Sequence, residues 1–441
     1  MQKFQKTLFS LLLLVGSVAS FDSQAAGPLE LKALRHSESI LRLHTPAFGC
    51  IVEVSLKHPD SALIPSEIDY YDNDYNSAVY TGEWVAAESY RYSVTHDPAA
   101  KEAALRGINC LLTLEDITGI PGYVARFAAP MKSPFVFQSC KNSDNCFPLE
   151  SGKYAGNFWY GKTSSDQMIG WWYGMAHALD LVIDGRGGAP EIILRDRMQS
   201  AMRRVLDNMV SHGYQIHGPN QHGRGLAGTN QFGGKALTYH AVAARFIGGA
   251  YAREYAGVFG MQLPMYIAGT SHVVSRYYEY YSFGLSNMIS HLLMRYDRDP
   301  FRHKIHVQVN QDRIYHKIKN TGQTFYEYIS FGERAIRPTQ KMLDRHRQIL
   351  SEMSDVPKMG GKVPQGPFQI DPMSARIEKI AKWLHLAQLT GLPEGDFQLK
   401  RQDTAPFPMR ERCPTTFMWG EAPYEICKSD QPNTLYFGSD Y

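Results

Sequence analysis

The chain reads as a mainly α-helical exported protein, built from successive helical hairpins with long connections and few short strands. Three observations predict this. Apolar residues recur at steps of three and four over most of the length, cap and stop residues bound those stretches, and the N-terminus has the layout of an export signal.

Lys3 and Lys6 precede an apolar run from Leu8 to Val18, and Ser23-Gln24-Ala25 places small residues where a signal peptidase reads them. Residues 1–25 are predicted to be a signal peptide and 26–441 a single domain, with core hairpins over about 70–390 and a loop-rich extension over 391–441. The apolar run is shorter than the roughly 20 residues a bilayer anchor needs, so no stable membrane anchor is expected after signal removal. The predicted address is the periplasm or the medium.

With 441 residues, 44% hydrophobic and 20% charged, the chain can bury a large core without a metal or a dense disulfide framework. The net charge of +3 includes the two signal lysines, so a nearly neutral mature protein has no electrostatic case for a nucleic-acid partner. Cys50, Cys110, Cys140, Cys146, Cys413 and Cys427 make an even count in an oxidising compartment, where disulfides are expected over zinc. Short loops make Cys140 with Cys146 and Cys413 with Cys427 the natural pairs and leave Cys50 for Cys110; other connectivities stay open.

Tyr80, Trp84, Ala87 and Arg91 share one helical face. Asp97-Pro98 then supplies a cap and a first-turn proline for a helix through Leu105, Ile108 and Leu112. A second hairpin follows from Met168, Trp172, Met175, Leu179 and Val182 and, after Pro190, from Met198, Met202, Val205 and Met209, with His212-Gly213 as its stop. Further helical faces appear at Leu285 to Tyr296, Met342 to Met353 and Ile377 to Ala387; only Leu29 to Val54 hints at strands. The connection from Gly213 to Lys235, with seven glycines plus His217, His222, Arg224 and Asn230, is long enough to suggest function, whereas Pro357 to Pro372 reads as a linker. A run of hairpins this long closes into a toroid or stacks into a solenoid, with chemistry carried by loops on one face.

Gly156 to Thr163 satisfies the G-x-x-x-x-G-K-T pattern of phosphate-binding loops. Its interior, Asn157-Phe158-Trp159-Tyr160, is bulky, no parallel strand precedes it, and an exported protein meets essentially no ATP. Gly223 to Gly228 fits a dinucleotide fingerprint without the strand and helix that pattern needs. Ser164 and Gln167 form a capping box with Asp166 in the first turn, which explains these residues without catalysis. Read functionally, Asp166 suits a base or substrate-orienting carboxylate, with Glu83, Glu88 and Glu279 as candidate acid partners. His222, Arg224 and the Tyr277-Tyr278 pair could neutralise a uronate and remove the proton beside its carboxylate. Tyr160, Lys162 and Asn230 complete the expected substrate contacts, and Trp171, off the apolar stripe that holds Trp172, could stack on a sugar ring. No zinc-binding spacing and no G-x-S-x-G occur, so neither a metal, a cofactor nor a serine hydrolase of that type is expected.

Thr81 to Thr95, Leu114 to Arg126, the Thr163 to Gln167 helix entry and His212-Gly213-Tyr214 together resemble uncharacterised bacterial proteins of the six-hairpin glycosidase-like group, over roughly residues 70 to 330. The resemblance implies an (α/α) toroid, the architecture of unsaturated glucuronyl hydrolases and several polysaccharide lyases. Trp171 stands where a histidine is common in that group, and the loop after Tyr214 lacks its usual Trp-Gly pair. The expectation is a carbohydrate-active enzyme, a glycoside hydrolase or a polysaccharide lyase with Asp166, His222 and Tyr278 as catalytic residues. The alternative is a non-catalytic glycan-binding or envelope-assembly protein.

Overall fold

The computed structural model describes residues 27–58, 60–72, 76–132, 134–135, 140, 143–219, 230–272, 281–319 and 321–353, with short pieces at 361–364, 368–370, 400–402, 407–409, 412, 425–428 and 434–435. The described part is mainly helical. Its first element corrects the sequence reading: Pro28–Ser39 is a helix (α1), continued by a wide turn over Ile40–His44, and the strand β1 occupies only Glu53–Leu56. Proline at the first helical position and Glu30 in the first turn favour a helix here, and both lie within or beside the stretch read as strand.

Strand β2 (Ile68–Asp72) pairs antiparallel with β1, and Thr434–Leu435 joins the other edge of β1, so the end of the chain returns to its beginning. Helices α2 (Ser77–Thr95) and α3 (Pro98–Asp116) form the first predicted hairpin, and the Asp97 carboxylate accepts from the Ala99 amide as its cap. A small antiparallel sheet follows, ordered β3 (Phe127–Pro130), β5 (Asn157–Tyr160), β4 (Cys146–Leu149). The second hairpin is α4 (Ser165–Leu181) with α5 (Ala189–Ser211), which stops at His212 as expected. Helices α6 (Gly234–Phe246), α7 (Ala250–His272), α8 (Tyr281–Tyr296), α9 (Pro300–Val309), α10 (Thr324–Gly332) and α11 (Gln340–Glu352) follow in chain order. The predicted helix over Ile377 to Ala387 lies outside the described residues.

Among the described residues the helices pack as five consecutive pairs. The first member of each also touches the first member of the next: α2 against α4, α4 against α6, α6 against α8, α8 against α10. Helix α1 links the two ends of this series. Its Lys32 Nζ donates to Leu350 O (3.2 Å), Ser351 O (2.9 Å) and Met353 O (2.7 Å) at the end of α11, where the helix dipole favours a cation. On the same helix Ser37 donates to Glu88 of α2.

One core spans the first members of these pairs. Trp84, Trp171, Trp172, Tyr173 and Tyr239 are all essentially inaccessible within it. Gly82 on α2 faces Gly170 and Gly174 on α4. A Cβ on Gly174 would lie 2.8 Å from the Gly82 Cα, and one on Gly82 would overlap the Gly170 carbonyl, so the two backbones touch with no side chain between them. Two disulfides, Cys50–Cys110 and Cys140–Cys146, are formed as expected from the sequence. The third expected pair lies outside the described residues because Cys413 does.

Candidate functional site

The first turns of α2, α4 and α6 bring a polar cluster together at one end of the core. Asn76 precedes α2, Ser164 precedes α4, and Asn230 and Gln231 lead into α6. Arg126, arriving from the sheet, ties the first two helices together: it donates to Ser164 Oγ at 2.7 Å and to Asn76 Oδ1. Gln167 adds a second tie, donating to Asn76 Oδ1 (2.8 Å) and to Asp166 Oδ2 (3.0 Å) while accepting from the Val79 amide (3.3 Å).

These bonds replace the capping box read from the sequence. Ser164 does occupy the N-cap position, but its hydroxyl makes no bond to the helix amides. It donates instead to Asp166 Oδ1, and the Gln167 side chain turns to α2. The tertiary partners Arg126 and Asn76 compete successfully with the local cap because their bonds join two helices. Asp166 is half-buried and is held on both oxygens, by Ser164 and by Gln167.

The α6 side of the cluster centres on Ser165 and Lys235, neither singled out in the sequence. Lys235 Nζ donates to Ser165 Oγ at 2.9 Å and to the Asn230 carbonyl. Gln231 Nε2 donates to the same Oγ at 2.8 Å, and the hydroxyl donates to Asn230 O at 3.2 Å. Tyr239 OH donates to Gln231 Oε1 at 2.6 Å and its ring stacks on Trp172, which fixes the amide. Burial draws the Lys235 ammonium down to about 8, with the Asp166 carboxylate opposing the fall.

The remaining sequence-predicted residues divide as follows. Asn230 is exposed and its Oδ1 accepts from the Phe232 amide, so its side chain shapes the turn while its carbonyl meets Ser165 and Lys235. Gln215 and Asn230 form an antiparallel bridge, which closes the long glycine-rich connection at its base beside α4. His222, Arg224, Tyr277 and Tyr278 lie outside the described residues, as does Glu279. Tyr160 is half-buried in β5, packing against the apolar cluster beneath the sheet. Lys162 is exposed with a φ of 57°, a left-handed backbone at the entry to α4. Trp171 is corrected: it is fully buried and its Nε1 donates to Leu111 O at 2.8 Å, so its ring is a core contact with no face open to a sugar.

The acid partners fare no better. Glu88 is buried about 18 Å along α2 from Asn76, taken as 1.5 Å per residue, and is held by Ser37 and by Arg91 at 2.8 Å. Glu83 is buried in the middle of the same helix.

The phosphate-loop pattern is also accounted for. Asn157–Tyr160, the would-be loop interior, is the central strand of the small sheet, with Trp159 paired to Ala128 and Phe147. Its amides are engaged in the sheet and do not form a cradle. Among the described residues no group of three or more His, Cys, Asp or Glu side chains is disposed to hold a metal ion.

No family model matches this chain. No curated protein and no solved structure matches it either.

A second polar cluster occupies the opposite end of α4, about 21 Å from Asp166 by helix rise at Asp180. Tyr173 OH lies 2.6 Å from His291 Nδ1, and Tyr90 OH lies 3.0 Å from His291 Nε2. Arg295 binds Asp180 at 2.6 Å and Glu333 at 3.1 Å. Burial lowers His291 despite Glu333, and lowers His177 further with help from His291, so both rings are neutral near pH 7. Tyr90, Tyr173, His291, Arg295, Asp180 and Glu333 bond to one another, which marks the cluster as a buried network joining α2, α4, α8 and the end of α10, although His177 Nε2 and Tyr296 OH beside it have no hydrogen-bond partner among the described residues.

Proposed function

We propose that this protein is an exported carbohydrate-active enzyme, an (α/α) toroid whose cleft opens where the first turns of α2, α4 and α6 meet. The observation that carries the reading is the convergence on one helix end of Asp166, Ser165, Lys235, Arg126 and the amide side chains of Asn76, Gln167 and Gln231, beside the base of the glycine-rich connection. Carboxylate, cation, amide and hydroxyl groups side by side suit a ligand dense in hydroxyls. The linking of the first and last helix pairs by α1 favours a closed ring over an open stack. The likeness to six-hairpin glycosidase-like proteins supports the same architecture and leaves the chemistry to the site.

Paired-carboxylate glycoside hydrolysis needs a second acid near Asp166. The described candidates, Glu83 and Glu88, are buried along α2, which favours chemistry driven by a base and hydrogen-bond donors over a carboxylate pair. The test is incubation of the mature protein and its Asp166→Asn variant with a panel of acidic and neutral polysaccharides. Turnover by the parent and a loss of roughly 100-fold or more in the folded variant supports the reading; absence of any product from the whole panel rejects it.

One observation favours a non-catalytic glycan-binding protein instead: both Asp166 oxygens are engaged by residues of its own turn, Ser164 and Gln167. Saturable binding to a glycan array with no product after long incubation selects that reading.

A further inference from the structure

We propose that Ser165 and Lys235 are a nucleophile and general base that hydrolyse an acyl ester, the substrate being an O-acylated glycan. The substrate half of this inference rests on the carbohydrate reading above; the Ser165–Lys235 pair does not.

The geometry is that of an activated hydroxyl. Lys235 Nζ sits 2.9 Å from Ser165 Oγ, and Gln231, itself fixed by Tyr239, holds the same oxygen from another side. Among the described residues Lys235 forms no ion pair within 4.0 Å; its partners are a hydroxyl and the Asn230 carbonyl, and Asp166 acts on it only through space. A half-buried cation whose partners among the described residues are neutral oxygens is a costly way to tie two helices together. The same burial places the amine near 8, so a useful fraction is neutral and able to accept a proton at mildly alkaline pH. Ser165 is the first residue of α4 and the Ser164 hydroxyl does not cap that helix, so the positive end of its dipole lies beside Ser165 and would favour negative charge developing there.

The step balances without a cofactor. Neutral Lys235 takes the proton from Ser165 Oγ as the oxygen bonds to the acyl carbon, and the resulting ammonium returns it to the departing sugar oxygen. Water, deprotonated by Lys235, then attacks the acyl-serine, releasing the carboxylic acid and restoring Ser165. Among the described residues Asp166 is the titratable group that acts on Lys235, and when charged it raises the pH at which Lys235 becomes neutral; it acts on neighbouring Tyr239 as well.

The test uses the full mature protein and a biotinylated fluorophosphonate, with the labelled residue located by peptide mass spectrometry. Labelling is expected at Ser165, rising with pH through about 8. It should vanish in Ser165→Ala and slow by roughly 100-fold in both Lys235→Met and Lys235→Arg. Lys235→Arg retains the cation and its hydrogen bond, so labelling at the parent rate in that variant would mark the lysine as structural and overturn the pair. No labelling of Ser165 in the folded parent between roughly pH 6 and pH 10 also overturns it. Acetate release from p-nitrophenyl acetate but not from acetylated xylan or acetylated uronate polymers would overturn the glycan substrate while leaving the pair in place.

Discussion

Gly82 of α2 lies directly on the Gly170 carbonyl of α4, with no room for a Cβ between them. Glycine inside a helix ordinarily costs about 1 kcal/mol relative to alanine, so Gly→Ala at an unconstrained position would stabilise. Here the neighbour is backbone and cannot yield cheaply. Gly82→Ala and Gly170→Ala are therefore expected to destabilise by about 1–3 kcal/mol, measured as a fall in denaturant midpoint. An increase in either variant would mean that the two helices do not cross at these residues.

The Cys50–Cys110 bridge closes a loop of 60 residues between the segment before β1 and the middle of α3, with both half-cystines buried. Chain-entropy arguments assign about 4 kcal/mol to a loop of that length. The Cys50→Ala, Cys110→Ala double variant should lose a large part of that and melt well below the parent. Equal melting temperatures would show that the bridge contributes nothing under the conditions used.

Two buried histidines set an acid limit on stability. Burial lowers His44 to about 4 against the Val52 carbonyl bond, and lowers His240 to about 4 as well. Their folded values lie below the ordinary 6.5, so the unfolded chain binds the extra protons as pH falls. The stability these neutral rings contribute is complete above about 6.5 and is lost as pH drops toward 4, on the order of 3 kcal/mol for each ring. Melting temperature followed across that range should fall steeply, and more gently in His44→Phe; a flat profile would contradict the assignment.

Trp171→Phe separates a core role from a sugar-binding one. Removing the indole leaves the Leu111 carbonyl without its 2.8 Å donor in a buried setting, a loss of about 1–3 kcal/mol. Chemical denaturation should register that loss, while glycan affinity measured on the folded variant stays at the parent value. A drop in affinity with unchanged stability would return Trp171 to the cleft.

Much of the fold is written locally. The helical faces at Tyr80 to Arg91, Met168 to Val182 and Met198 to Met209 became α2, α4 and α5, with the Asp97 cap and the His212 stop in place. Helices α6, α7, α9 and α10 leave no clear stripe in the sequence: α7 is apolar on much of its outer face, with Met261 and Met265 exposed, which blurs a helical pattern. The short strands are equally hard to read, because strands of about four residues carry little periodic signal and are defined by partners distant in sequence.

The sequence by itself determined what depends on neighbours a few residues away: helix periodicity, the Asp97 cap, the Cys140–Cys146 pair closed by a short loop, and an N-terminal stretch with the pattern of an export signal. Only the tertiary structure decided which polar groups meet. Lys235 follows a long glycine-rich connection with no motif around it, and nothing local links it to Ser165 seventy residues earlier. Packing α4 and α6 side by side brings their first turns together, and the desolvation that draws Lys235 to about 8 exists only once those helices have closed over it. The same packing sent Trp171 inward, because its Nε1 found the Leu111 carbonyl on a neighbouring helix, a partner that spacing along one helix cannot reveal.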